Sequence, residues 1–308
     1  MREKNVLQNN VTVCLLALTS CLLWGSASPC IKTGYAWLAI APSDVGAQLL
    51  FAGVRFALAG VLTVVVGSLL FRKALIPAKQ NIPFVFALAL VQTVVQYFFY
   101  YVALSHTTGV RAAIIQGANA FIALFVAALV FHMERLTAKK VIGSAIGFVG
   151  VIVMNLSGGS FGSGFSLFGE GFVLLSAVAY AFSSVMIKIF SQHEHPFTLS
   201  GWQLFLGGLV LCAVGFCLGG RFSFTWPGAG LILYLAFLSA AAYSIWGLLL
   251  KYNAVASVTV YSFAIPVFGT VLSAIILKEG AQAASLQNLA ALIFICVGIV
   301  IVNREALR

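Results

Sequence analysis

The chain has 308 residues, of which 62% are hydrophobic and 8% charged, with a mean hydropathy of +1.07. A soluble domain carries about 25% charged residues, so this composition excludes a cytosolic enzyme, a secreted domain, a disordered chain and a collagen. It leaves an all-α integral membrane protein: a helical span takes about 20 residues, and about ten spans with short loops would use the whole length.

At the N-terminus, Arg2 and Lys4 precede an apolar run that starts at Val11 and continues through Trp24 to Ile31. The run is longer than the apolar region of a signal peptide, and cleavage after Ser28 would leave Pro29 beside the cut. It reads as a first spanning helix. Ten apolar segments follow from the pattern: 11–33, 46–70, 82–104, 110–131, 138–156, 170–190, 197–219, 228–250, 254–277 and 285–303. Turn-forming residues separate them, such as Pro42-Ser43-Asp44, His195-Pro196 and Trp226-Pro227-Gly228. The stretch 157–169 is rich in glycine and serine and divides the chain into 1–156 and 170–308.

The net charge of +10 lies in the short loops, which points to topology rather than to a nucleic-acid partner. With the N-terminus inside, twelve basic residues fall on the inner side: Arg2, Lys4, Arg72, Lys73, Lys79, Arg135, Lys139, Lys140, Lys188, Lys251, Arg304 and Arg308. Four fall outside: Lys32, Arg111, Arg221 and Lys278. Lysine and arginine concentrate on the cytoplasmic side of membrane proteins, so both termini are expected there, in a multi-pass protein of the bacterial plasma membrane.

The two halves repeat. Ser20-Trp24-Ser28-Lys32 matches Ser176-Tyr180-Ser184-Lys188, and Gly53, Gly60 and Gly67 match Gly201, Gly208 and Gly215. Phe121 and Glu134 match Pro266 and Glu279. Each half has five spans, so the second enters the membrane from the opposite side. The expected fold is ten transmembrane helices in two inverted five-helix repeats, an arrangement that places a substrate site near the midplane between the halves.

Several motifs, taken together and in order, resemble the ten-helix EamA-type members of the drug/metabolite transporter superfamily. They are Leu23-Trp24-Gly25-Ser26 with Ile31-Lys32, Arg55-Phe56-Ala57-Leu58-Ala59-Gly60, Ala103-Leu104 with Thr108, Glu134-Arg135-Leu136-Thr137, Gly143 and Gly150-Val151, then Pro266-Val267-Phe268, Glu279 and Gly298. The likeness covers essentially the whole chain. One departure is Phe121, where the family usually has proline, which leaves the kink of helix 4 open. The resemblance implies a secondary transporter that moves small metabolites by alternating access through a central cavity lined by helices 1, 3, 4, 6, 8 and 9, amino-acid exporters being common in the family.

Residues spaced by four share a helix face, and a polar face turned to lipid is unfavourable. Trp24, Ser28 and Lys32 on helix 1 and Tyr180 and Ser184 on helix 6 therefore mark candidate lining, with helix packing by small residues as the alternative. Lys32 and Lys188 could equally snorkel to an interface. Helix 3 adds Gln92, Gln96 and Tyr100, helix 4 adds Gln116 and Asn119, and helix 8 adds Tyr243 and Trp246; Tyr261 stands at the repeat position of Gln116. Amides and rings suit a neutral or zwitterionic organic solute, with interhelical hydrogen bonding as the alternative use. Trp24 and Tyr180 are expected to face each other across the site.

Arg55 lies about 13 Å into helix 2 at 1.5 Å per residue. All seven acids (Glu3, Asp44, Glu134, Glu170, Glu194, Glu279 and Glu305) fall in loops or near span ends. Arg55 must find carbonyls, hydroxyls, water or an anionic substrate, a structural use being the leading expectation. The lack of a midplane carboxylate disfavours the alternative of multidrug cation efflux coupled to protons, and His106, His132, His193 and His195 lie too near helix ends for a proton relay. Cys14, Cys21, Cys30, Cys212, Cys217 and Cys296 sit in apolar runs without metal-ligand spacing. No metal or cofactor is expected. Without HExxH, GxSxG or paired midplane carboxylates, a membrane-embedded enzyme is a remote alternative. The expected partners are a small-molecule substrate and the bilayer, with the chain a monomer or weak homodimer.

Overall fold

The computed structural model describes residues 7–133, 135–155, 165–253, 258 and 260–304. Among them there are helices and loops and no strand. The helices are α1 (Asn10–Trp37), α2 (Val45–Leu70), α3 (Lys79–His106), α4 (Gly109–Val130), α5 (Ala138–Asn155), α6 (Leu167–Phe190), α7 (Pro196–Cys217), α8 (Trp226–Tyr252), α9 (Tyr261–Ile276) and α10 (Leu286–Arg304). Seven of these, α1 to α4 and α6 to α8, are long and apolar enough to cross a membrane, and α9 and α10 are shorter apolar helices. A single turn, Gly280–Ala283, lies between them. The predicted stretch 157–169 falls mostly outside the described residues; α6 begins within its described end, at Leu167.

Local chemistry sets the ends. The first backbone N–H groups of a helix lack intrahelical acceptors, and short polar side chains supply them. Asn9 accepts from Val11 N–H at 2.9 Å, Asp44 from Ala47 N–H at 2.8 Å and Thr225 from Gly228 N–H at 3.1 Å. Pro196 occupies the first turn of α7, where its missing N–H costs nothing. At the other ends, α1, α2 and α7 close with a left-handed residue and a 6→1 bond: Ile40 N–H to Tyr35 O, Lys73 N–H to Ser68 O and Gly220 N–H to Gly215 O. Gly219 takes that conformation freely, whereas Ala39 (φ 54°) and Arg72 (φ 48°) hold it against a Cβ penalty.

Two helices are irregular inside. α3 widens into a π-helical turn over Ala89–Val95. α4 breaks at Gly117–Ala118 and widens again at Val126–Val130. The break needs no proline: Phe121 instead packs its ring against Gly147 and Phe148 of α5.

Helices associate in lipid through close packing rather than hydrophobic exclusion, so small residues mark the contacts. α2 and α7 touch along a glycine seam. A methyl added at Gly60 would meet the Phe205 backbone, at Gly53 the Cys212 N at 2.5 Å, and at Gly215 the Leu50 N at 2.6 Å. Rising numbers on α2 meet falling numbers on α7, so the pair is antiparallel. α5 and α10 repeat the device: a methyl at Gly298 would meet Gly143 O at 2.5 Å and Gly147 N at 2.9 Å. α4 lies antiparallel to α9, with Gly109 against Ser273 and Gly117 against Pro266. The remaining main contacts are α1 with α8 and α9, α6 with α3 and α4, α8 with α2, and α7 with α3.

Near α7, the loop before α3 meets the loop after α6. The Glu194 carboxylate accepts from Ala78 N–H at 3.0 Å and Asn81 Nδ2 at 3.1 Å. Partial burial pushes its pKa up, but hydrogen bonds from Asn81, Ala78 and His195 outweigh that and hold it below the usual carboxylate range.

Candidate functional site

Half-buried aromatic rings from α1, α3, α6 and α8 meet in the middle of the bundle. The Trp24 ring lies edge-on to Tyr243 (centroids 5.6 Å apart) and to Trp246 (5.2 Å). The Tyr243 hydroxyl meets that of Tyr97 at 3.3 Å. Tyr180 stands within electrostatic reach of both Tyr97 and Tyr243. Trp24, Tyr97, Tyr180, Tyr243 and Trp246 are each half-buried. Edge-to-face ring pairs of this kind each contribute about 0.5–1.5 kcal/mol beyond burial. Trp24 pairs with Tyr243 and Trp246, and Trp24 and Tyr180 are not themselves a ring pair.

Polar groups stand beside the rings. Gln96 is 7% exposed, and its Oε1 has no hydrogen-bond partner. Asn119 Oδ1 is likewise buried without one. A buried carbonyl left unpaired costs about 1–3 kcal/mol, so these acceptors suit a water or a solute donor. Gln116 and Tyr261 are half-buried, and the Tyr261 carbonyl accepts from Cys21 Sγ at 3.3 Å. Ser28 and Tyr100 use their hydroxyls on each other, 2.6 Å apart and fully buried, which ties α1 to α3. Ser184 bonds back to the Tyr180 carbonyl at 2.7 Å.

The sequence reading passed over Tyr97. It lies in the run Gln96-Tyr97-Phe98-Phe99-Tyr100-Tyr101, which carries rings on every face. The spacing-of-four stripe through Gln92 and Gln96 assumed a regular helix. The π-helical turn ends at Val95 and shifts the phase, and the turn itself meets α7, where Thr93 Oγ1 donates to Gln203 Oε1. A widened turn beside a functional site is a recurring feature, but nothing in the residue spacing announces it.

Arg55 is 2% exposed. Its Nη1 donates to the Tyr101 hydroxyl at 2.8 Å and Nη2 to Ser239 Oγ at 2.9 Å. The guanidinium carbon lies 4.3 Å from the Phe56 ring centroid and 5.8 Å from those of Tyr97 and Tyr101. The expected hydroxyl partners are thus present, and cation–π contact adds to them.

A second polar cluster closes one end of the bundle. The Lys32 ammonium donates to the Thr107 carbonyl. Thr107 Oγ1 donates to Glu170 Oε1 at 2.6 Å, Arg111 Nη1 to the same oxygen at 3.3 Å, and Ser166 N–H to Oε2 at 2.8 Å. Glu279 accepts from the N–H groups of Gly109 and Val110 at 3.2 and 2.9 Å, a favourable place for an anion at the start of α4. The turn between α3 and α4 is therefore gripped by two carboxylates from the other half of the chain. Ser105, His106, Thr108 and Gln282 border the same cluster around a pocket of about 380 Å³. Lys188, the repeat partner of Lys32, is exposed at the end of α6. Glu134, the partner of Glu279, lies outside the described residues.

Comparisons with known proteins agree with this architecture. The EamA-like transporter family matches the chain twice, over residues 11–156 and 167–304. The chain is 28% identical over 289 residues to the "Uncharacterized transporter YvbV" of Bacillus subtilis, covering 92% of this chain and 89% of that one. It is 27% identical over 279 residues to a protein of Salmonella typhimurium named "Probable amino-acid metabolite efflux pump", covering 86% of each. A solved structure 20% identical in sequence superposes with a TM-score of 0.66 over 97% of this chain and 99% of its own, a likeness of fold. With the apolar helices described above, these matches make the protein a multi-pass membrane transporter rather than an enzyme, and the chain belongs to the EamA-like transporter family.

Proposed function

We propose that this transporter moves an amino-acid-sized, partly apolar organic solute out of the cell, by alternating access of two inverted five-helix halves around the aromatic cluster. The observation that carries the reading is that cluster itself. Both halves supply its rings, Trp24 and Tyr97 from the first and Tyr180, Tyr243 and Trp246 from the second. Gln96 Oε1 on α3 and Asn119 Oδ1 on α4 are buried without hydrogen-bond partners. Rings cover apolar parts of a solute while amides orient its polar groups. The relative named as an amino-acid metabolite efflux pump points the same way.

The packing supports two inverted repeats. Pairing α1 with α6, α2 with α7, α3 with α8, α4 with α9 and α5 with α10 maps the main contacts onto one another: α1–α8 onto α6–α3, α1–α9 onto α6–α4, and α8–α2 onto α3–α7. The pairs α2–α7, α4–α9 and α5–α10 map onto themselves, and their partners run antiparallel, as copies related by an axis in the membrane plane must. The two family matches, one in each half, support the same division. With both termini in the cytoplasm of a bacterial plasma membrane, the Lys32–Glu170–Glu279 cluster faces outward, and the described conformation is closed on that side. Single cysteines introduced between residues 157 and 164 should then react with an impermeant reagent added to intact cells; reaction only in inverted vesicles would reverse the orientation.

The solute reading is tested by flux into proteoliposomes. Tyr180→Ala and Gln116→Ala are expected to lower the flux of apolar amino acids about tenfold or more, or to change the order of preference, while the purified protein stays monodisperse. Parental flux and selectivity in both variants would place the solute path elsewhere.

A further inference from the structure

We infer that Arg55 sets the charge selectivity of the transport path, favouring solutes that carry a carboxylate and rejecting net cations. The inference rests on the proposed solute site at the aromatic cluster. Arg55 is nine-tenths and more buried, and Nε of its guanidinium has no hydrogen-bond partner. Its two bonded partners, Tyr101 and Ser239, are neutral hydroxyls. No carboxylate among the described residues pairs with it: Asp44 caps α2, Glu170 sits in the first turn of α6, Glu194 is in a loop, and Glu279 holds the start of α4. Among the described residues the positive charge is therefore fixed in the bundle without a counter-charge.

That charge stands directly behind the solute wall. The guanidinium faces the Tyr97 ring, whose hydroxyl touches Tyr243, which in turn packs against Trp24. In a membrane interior the field of an unpaired charge is weakly screened. A carboxylate entering the space bordered by these rings is attracted by that charge across the ring wall, and an ammonium without a carboxylate meets repulsion. A helix-packing arginine would be expected to recruit an acid, since a buried charge is stabilised by pairing; the two hydroxyls and three rings hold the guanidinium in place while leaving its charge uncompensated.

The test uses the full chain in proteoliposomes clamped at zero membrane potential and three matched probes at pH 7. These are an apolar amino acid, its N-acetyl derivative, which is an anion, and its amide, which is a cation. The parent is expected to move the amino acid and the anion at least tenfold faster than the amide, a ratio equivalent to about 1.4 kcal/mol. Arg55→Gln is expected to lose most of that preference and Arg55→Lys to keep it, because the lysine restores charge without the guanidinium geometry. A monodisperse Arg55→Gln protein that still prefers carboxylates by the parental ratio overturns the inference. Should the glutamine variant aggregate, the parent and Arg55→Lys decide: equal flux of anion and amide in either overturns it, and a tenfold preference in both supports it. Parental flux of all three probes without charge preference defeats the selectivity and leaves the transport reading standing. Absence of flux for every probe defeats the solute reading, and this inference with it.

Discussion

Glu170→Ala is expected to destabilise the protein by about 3–5 kcal/mol, the range found when one partner of a buried ion pair is removed. Glu170 is 2% exposed and accepts from three donors at once: the Thr107 hydroxyl, Arg111 Nη1 and the Ser166 N–H. Alanine leaves the buried Thr107 hydroxyl and the Ser166 N–H without this acceptor and removes the Arg111 ion pair. Ser166 also caps α6 by accepting from Gly169 N–H at 3.1 Å, so its reciprocal arrangement with Glu170 fixes how the second half of the chain begins. Glu170→Gln keeps one acceptor oxygen and should fall between alanine and the parent. Thermal unfolding in detergent measures the order. A loss under about 1 kcal/mol for the alanine variant would mean that the cluster is solvated and that closure of this end rests on Lys32 and Glu279. Because the cluster joins the α3–α4 turn to residues of the other half, a cysteine introduced at position 108 should also react with thiol reagents faster in the Glu170→Ala background than in the parent background.

Gly208→Leu should disrupt the α2–α7 seam by about 3 kcal/mol or more, at the upper end of what overpacking costs. The methyl alone would meet the Ala57 N, the Gly53 O at 2.8 Å and the Ala57 Cα at 2.9 Å, all backbone atoms that cannot rotate away. Nothing else can relieve the contact except separation of the helices, and in lipid no hydrophobic force restores it. Gly230→Leu is the control, since a methyl there would meet nothing within 4 Å. The outcome to look for is loss of the monodisperse peak for Gly208→Leu and its retention for Gly230→Leu. Equal behaviour of the two would show that α2 and α7 tolerate a wider spacing than the glycine contacts imply.

The glycine seam was written in the residues as a repeat, Gly53 and Gly60 against Gly201 and Gly208, before any contact was known. Its pairing was not, because a repeat shows equivalence and not adjacency. In the same way the sequence marked Trp24, Tyr180, Tyr243 and Trp246 as inward-facing, while the pairing of Trp24 with Tyr243 and Trp246 came from how α8 lies against α1.

By itself the sequence determined the class of protein, an all-helical chain that crosses a membrane several times. The reason is the solvent: lipid accepts only helices whose backbone groups are satisfied internally and whose surface is apolar, so hydropathy, end caps and loop charge carry most of the information. The positions of Arg55 and of the four described acids were also legible, because depth along a helix follows from counting. The tertiary structure alone decided what those groups bind. Arg55 meets Tyr101 and Ser239, 46 and 184 residues away, and Glu170 meets Thr107, 63 residues away. It also decided the inward face of α3, where a widened turn resets the phase and brings Tyr97 to the cluster, and the break in α4 at Gly117–Ala118 without a proline to impose it. Both depend on what neighbouring helices press against, and contacts of that kind have no period along the chain.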